Sequence, residues 1–396
     1  MFLVTERACW SCFAKANIGC VQWRGFQRHQ ERLFSRSVPV RGTVVGASET
    51  EIESARKYCL DLLRKYDRPS YALSTFIPRQ TQTFYLALRA LNVSLSMIPD
   101  TTSSYTIGLM RLQFWRDAIT RTLSGAPPKE PIALLLGAAV SDLNSRTKGR
   151  VQLTRGWFMR LINAREQSLA NTPYTNLVAL ESYAENTYST LLYLTLSALP
   201  MTSLTADHLA SHVGKAAGIA AILRGLPLVA FPPPQSQYPS QPGTMSGSVK
   251  QGVITLPLDV MAQTGVKEED VFRLGAEAVG LRDAVFAVAT RASDHLITAR
   301  QMLKNLRSGQ GVDHDFEHEG EEGHVYPGQT ASKNQGPESQ WKEVELSFGV
   351  LMPAISTQLW LDKLQKVNFD IFKPELLGSD WRLPWKAYVS FRRRIL

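Results

Sequence analysis

The chain is 396 residues long, 44% hydrophobic and 20% charged, with a formal net charge of +9, which is enough apolar mass for one large core or two or three small ones. Its four cysteines, Cys9, Cys12, Cys20 and Cys59, are too few for a disulfide-built secreted fold. The basic excess sits at the front, where residues 1–48 carry seven Lys/Arg against two acids, and no compact basic cluster with interleaved aromatics follows, which argues against nucleic acid as a partner.

Residues 1–48 are Arg-rich, poor in acids and sprinkled with Ser and aromatics, the composition of a mitochondrial transit peptide. Arg32-Leu33-Phe34-Ser35 resembles a matrix-protease site. A disordered basic tail is the plainer alternative; the apolar core of a secretory signal is missing. Cys9-x-x-Cys12 has no second pair and no strand–helix context, so it is not read as a metal or redox site. No run approaches the ~18 apolar residues of a membrane span, and a soluble or peripheral protein is expected.

The helical periodicities follow in order. Ile52, Ala55, Cys59 and Leu62 predict an amphipathic helix over 51–67, ended by Asp67-Arg68-Pro69. Residues 70–78 read as a connector. Further helices are predicted over 81–98, 106–124, stopped by Gly125, and 130–144. The pattern continues over 154–170 and over 175–200, the last kinked near Ser189 and Thr190. Residues 231–250 and 308–340 are low-complexity insertions too polar to pack. Between them, 268–276 and 280–307 read as helices, and 342–366 reads as a last long helix broken near Pro353. Val367 to Pro374 is an irregular aromatic segment. Trp385, Tyr388, Phe391 and Arg392-Arg393-Arg394 close the chain. Aromatics beside a basic end suit an anionic membrane surface; three Arg at a helix C-terminus, favoured by the helix dipole, are the alternative. Alternation of apolar and polar residues is nowhere sustained, so no sheet is expected.

The organising stretch is Val213 to Gly225. Leu209, Val213, Ala216, Ala220 and Leu223 share one apolar stripe. Gly214, Gly218, Ala221 and Gly225 form a second stripe of very small residues, which admits either a neighbouring helix or a ligand. His208, His212 and Lys215 form a third, polar stripe. The two histidines are four apart, a spacing that can hold zinc, but the Glu of an H-E-x-x-H helix is absent and a third ligand is not evident, so a polar or interface face is the better reading. His314, His318 and His324 lie in an acidic loop and are read as solvated.

This stretch resembles the second signature of the squalene/phytoene synthase family, roughly L-G-x-A-x-Q-x-x-N-I-L-R-D-x-x-x-D. Gly214, Ala216 and Ile222-Leu223-Arg224 fit the frame, while Gly218, Ala221, Gly225 and Val229 stand where active members have Gln, Asn and two Asp. The first signature, A-x-Y-A-x-C-R followed by D-D-x-x-D, is matched by Ala87 to Val93, with Arg89 inside the run, and then by Ser96-Met97-Ile98-Pro99-Asp100, in which Asp100 alone is acidic. Magnesium requires hard oxygen ligands, and Gly, Ala, Val, Met and Pro side chains supply none. Asp100 is then read as a helix-end residue. Val253 likewise replaces the Arg of a G-R-x-Y-L-P anchor, and Tyr183 stands where relatives have a Tyr followed by Ala-Gly.

Within that family the chain is most similar to the mitochondrial branch that serves as assembly factor for respiratory complex I. Two runs carry this, Thr106 to Trp115, which includes Arg111, and Asp207 to Ala216. The resemblance implies an all-α fold of the isoprenoid (terpenoid) synthase type over 51–395, with two disordered loop insertions and no catalytic, cofactor or metal site. It implies complex I subunits or other assembly factors as partners, early in building the membrane arm, and a peripheral position on the matrix face of the inner membrane. A vestigial cavity or partner surface would draw on Arg89, Asp100, Arg111, Trp115, Tyr183, His208, His212, Gly218, Ala221, Arg224 and Gly225. The alternatives are an active isoprenoid diphosphate prenyltransferase, with Arg89, Arg111 or Arg224 left to bind diphosphate, or a lipid or isoprenoid carrier.

Overall fold

A capping box opens the described chain: Ser48 accepts a hydrogen bond from the backbone N–H of Glu51, whose carboxylate accepts one from the N–H of Ser48. The helix it starts, α1, runs Glu49–Tyr66 and buries Ile52, Ala55, Cys59 and Leu63. The computed structural model describes residues 48–151, 153–199, 203–232, 252–310 and 337–396. The leader reading and both insertion readings fall wholly or mainly outside these residues. Every element below lies in one unit, Arg41–Pro232 with Lys250–Leu396.

Asp67 ends α1 but also starts its successor. Its carboxylate accepts from the N–H of Ser70 at 3.2 Å, and Pro69 occupies an early position where a missing N–H costs nothing. The expected connector over 70–78 is therefore mostly helical: α2 (Arg68–Leu73) followed by a 3₁₀ turn, Ser74–Phe76. Next come α3 (Arg79–Ser96), the one-turn α4 (Ile98–Thr101), α5 (Tyr105–Leu123), α6 (Pro131–Thr147) and α7 (Arg155–Gln167). Ser104 caps α5, and Gly125 stands just beyond its end at φ +82°, a conformation that favours glycine.

The run expected as one kinked helix is α8 (Leu177–Ala184), a π-helical turn (Glu185–Ser189) and α9 (Thr190–Ser197). The kink is a π-bulge, a known cause of sharp helix bending. The organising stretch lies within α10 (Leu204–Ala230), and Pro227 is tolerated in its last turn. Then follow α11 (Leu258–Thr264), which the periodicity did not indicate, α12 (Glu268–Leu274) and α13 (Leu281–Arg307). The last long helix is divided into α14 (Pro337–Ser347), a 3₁₀ turn (Phe348–Leu351) and α15 (Pro353–Lys366), bent by 54° at Pro353. α16 (Leu383–Arg393) closes the fold. Strands are absent among the described residues.

α10 is the hub. It packs against α13, α15 and the α8–π–α9 segment, and Leu209, Val213, Ala216, Ala220 and Leu223 are fully buried. Each Leu or Val withdrawn from water contributes about 1.5–3 kcal/mol. By length and composition α10 qualifies as a candidate membrane span, contrary to the sequence expectation; 61% of the qualifying stretch is buried inside the fold, so its apolar character is that of a core helix. Its small stripe is explained by a neighbouring helix at two positions. A Cβ on Gly218 would lie 2.5 Å from Ala184 Cβ and 2.8 Å from Ala184 Cα, and one on Gly214 would meet Ser189 N at 2.5 Å and run into Ser189 Cα and Oγ. Glycine at these sites lets the π-bulged segment approach α10 backbone to backbone.

Cys59 is fully buried on α1. Burial, and then the charge of Glu130, push its thiol up to about 12, so it holds its proton at neutral pH and is inert. In the native protein Cys59 should resist iodoacetamide over hours and react within minutes in guanidinium, as read by peptide mass mapping. Native labelling at the denatured rate would contradict this placement.

Candidate functional site

The two signature positions meet at the mouth of the bundle. The end of α4 and the end of α10 line one cavity of about 280 Å³, with Pro99, Asp100, Thr102 and Tyr105 from the first signature region and Leu228, Val229 and Pro232 from the second. Asp100 is the acid in that lining. Among the described residues there is no group of three or more His, Cys, Asp or Glu placed to hold a metal ion. The magnesium–diphosphate site that the family resemblance implies would need several carboxylates close together. One carboxylate in a lining shared with Val229 does not fit that site.

Deeper in, between α3, α7 and α8, Arg165 takes the centre. Its guanidinium donates to Tyr183 Oη at 2.6 Å and to Asn92 Oδ1 at 2.8 Å, and lies over the Tyr188 ring at 5.9 Å. Tyr174 packs against Tyr183 with ring centroids 5.5 Å apart. Burial holds the Tyr183 hydroxyl above its ordinary pKa, Arg165 opposing. Side chains thus fill the space beside the kink.

A second polar layer spans α8, α10 and α13. His295 on α13 donates from Nε2 to Glu181 at 2.8 Å, and its Nδ1 lies 3.0 Å from Nδ1 of His212. Which of the two Nδ1 atoms donates follows from the tautomers of the two rings. The His208 ring is 5.2 Å from that of His212. Arg291 also pairs with Glu181. Burial pushes the Glu181 carboxyl up, but the hydrogen bonds from His295 and Arg291 outweigh it and bring the group to about 2. One turn on, the π-bulge turns Glu185 inward, where it accepts from Tyr193 Oη at 2.6 Å and Ser211 Oγ at 2.9 Å while 2% exposed.

The residues singled out from the sequence are dispersed over these regions. Asp100 is exposed at the mouth, and Arg111, also exposed, donates to Thr101 Oγ1 at 2.9 Å. Trp115 is buried beneath α5 and meets Phe114 edge-on. Arg89 is buried over the Tyr85 ring at 5.4 Å. Arg224 is not part of the mouth lining, though its charge acts on Tyr188 of the Arg165 cluster. It stacks over Trp360 at 5.2 Å in a different cavity, about 320 Å³, shared with Lys65, Arg68 and Lys363. Gly218 is occupied by helix contact, whereas a Cβ at Gly225 would meet nothing within 4 Å. His208 and Lys215 are buried, so the third stripe of α10, read from the sequence as a polar or interface face, lies in an internal polar layer. The sequence reading did not find Glu181, Glu185, Arg291 and His295. The available signal was a pair of acids four apart, Glu181 and Glu185, matched by polar residues at the same spacing on α10, His208 and His212.

The helical bundle, with its two signature helices converging at one mouth, has the isoprenoid-synthase type of fold. Residues 63–313 match the squalene/phytoene synthase model, and the chain belongs to that family. It is 36% identical over 356 residues to "NADH dehydrogenase (ubiquinone) complex I, assembly factor 6" of Mus musculus, covering 90% of this chain and 87% of that one. The Homo sapiens protein of the same name is 33% identical, covering 93% and 91%, and a Drosophila melanogaster homolog is 29% identical, covering 91% of each. Among solved structures, the fold is similar to a dehydrosqualene synthase at a TM-score of 0.59, 13% identity, covering 87% of this chain and 99% of that one. It is also similar to a squalene synthase from Alicyclobacillus acidocaldarius at 0.55, 14% identity, covering 83% and 99%.

Proposed function

We propose that this protein is a non-catalytic assembly factor for mitochondrial respiratory complex I, acting early on the membrane arm. Residues 1–48 would deliver it to the mitochondrion, and it would work as a peripheral protein on the matrix face of the inner membrane. Its partners would be complex I subunits or other assembly factors. The names of its relatives support the assembly role. The observation that carries the non-catalytic reading is the mouth cavity: where the two signature positions meet, Asp100 shares the lining with Val229 and Leu228 and is its one acid among the described residues. An electrostatic clamp for a departing diphosphate is worth several kcal/mol of barrier, and Arg89, Arg111 and Arg224 do not converge to replace it.

A carrier for a lipid or isoprenoid phosphate is the second reading, favoured by the cavity around Arg224, Lys65, Arg68 and Lys363, in which Asp380 also stands and pairs with Lys363 at 3.7 Å. Both readings predict that the purified protein, given farnesyl diphosphate and magnesium, forms no condensed C30 product. Sustained turnover would overturn them and restore the prenyltransferase. Saturable retention of farnesyl diphosphate without turnover would favour the carrier.

A further inference from the structure

α16 presents an unusual outer face. Trp381, just before it, is 75% exposed, Trp385 is 68% and Tyr388 is 52%. Within the helix Trp385, Tyr388 and Arg392 stand at i, i+3 and i+7, so they form one stripe, and Trp381 lies in the turn that leads into it. Lys386 and Arg393 form a second stripe beside it, both exposed. From Trp381 to Leu396 the sequence has five Lys/Arg and no acid.

The inner side of the same helix is firmly held. Leu383, Ala387 and Ser390 are buried. The Phe391 ring packs on Phe76 at 5.2 Å and on Phe348 at 6.3 Å, with the Arg394 guanidinium 4.1 Å above it. The terminal carbonyls are tied to α13, Arg300 donating to Leu396 O at 3.0 Å and Arg307 to Arg393 O at 3.4 Å. Arg382 is engaged by Asp380 at 2.7 Å, and Arg394 pairs with Glu345 at 3.7 Å. Lys386, Arg392 and Arg393 are the exposed cations left to face outward.

We infer that this face is the protein's membrane-docking surface, and that its occupant is an anionic phospholipid bilayer. Trp and Tyr are the side chains whose amphipathic rings settle at the level of lipid headgroups. A helix with such a face and flanking Lys/Arg lies in the plane of the interface. Because the helix is already folded and anchored, docking avoids the cost of ordering its backbone. The charge pattern selects the lipid: a cationic stripe without acids matches a negative leaflet. This inference rests on the peripheral-membrane part of the proposed function and assigns it to named residues.

The test is co-sedimentation of the full-length protein with vesicles of phosphatidylcholine alone or phosphatidylcholine with phosphatidylglycerol. The wild type should bind the anionic vesicles and lose binding in high salt. The triple variant Lys386→Gln, Arg392→Gln, Arg393→Gln should bind them on the order of 100-fold more weakly. The triple variant Trp381→Ala, Trp385→Ala, Tyr388→Ala should bind neither vesicle. All these side chains are exposed, so thermal melts should match the wild type. Wild type that ignores anionic vesicles, or variants that bind as it does, for instance through the basic leader, would overturn the inference. Loss of complex I with the variants in cells, from a protein that never binds vesicles, would assign the face to an acidic protein partner instead. The vesicle assay contains no complex I, so failure of the assembly reading would show separately.

Discussion

Gly214→Ala is expected to destabilise the folded protein by about 3 kcal/mol or more, enough to leave it largely insoluble in the cell. Overpacking usually costs about 1–3 kcal/mol because side chains can shift aside. Here the added Cβ meets the backbone of Ser189, with its N at 2.5 Å, and the π-bulged segment cannot retreat without dragging Glu185 and Thr187 out of a buried environment. Gly218→Gln should behave similarly, since Ala184 Cα stands 2.8 Å from the new Cβ. Gly225→Asp is the control. Nothing lies within 4 Å of its Cβ, and its stability should stay within about 0.5 kcal/mol of the wild type. Thermal melts of the three variants check this. A Gly214→Ala protein as stable as Gly225→Asp would mean that the helices are not in backbone contact.

Glu181→Ala is the second large effect, a loss of about 3 kcal/mol in urea unfolding. Removing one partner of a buried ion pair typically costs 3–5 kcal/mol, and the half-exposed Arg291, 45% open to water, holds the figure at the lower end. The pH dependence has a definite sign. Glu181 is held at about 2, below its ordinary 4.5. Its stabilisation is therefore complete above the ordinary value and is lost as the pH falls from about 4.5 toward 2. Asp380 titrates in the same window, held at about 2 first by the hydrogen bond from Arg382, against a smaller opposing effect of burial. Acid unfolding of the wild type should therefore steepen below about pH 4.5, and Glu181→Gln should flatten it. Acid sensitivity unchanged in Glu181→Gln would contradict the assigned network.

Where one residue pattern decides a structure, the sequence was readable. The apolar stripe of α10, the stop at Gly125 and the break at Pro353 each depend on spacing or on one special residue, and each stands where expected. The kink expected near Ser189 and Thr190 is the π turn Glu185–Ser189; the extra residue shifts the helical phase by about 100°, but the mixed polar residues of that stretch leave no apolar stripe on which to see the shift. α2 was missed because Pro69 reads as an end, and only the Asp67 cap reveals that it is also a beginning. The small stripe left helix and ligand equally open; the distances from Gly214 and Gly218 to their neighbours decide for a helix there and leave Gly225 free. The polar network was least legible. Glu181 and His295 are 114 residues apart in the chain, and no local pattern announces a contact of that range.

The measurement that tests the central claim most directly is deletion of the gene, followed by native electrophoresis of mitochondrial membranes with an in-gel NADH dehydrogenase stain, and re-expression of the wild-type chain. The proposed non-catalytic assembly role predicts loss of assembled complex I, unchanged isoprenoid and sterol profiles, and full rescue. Normal complex I with an altered isoprenoid profile would contradict it.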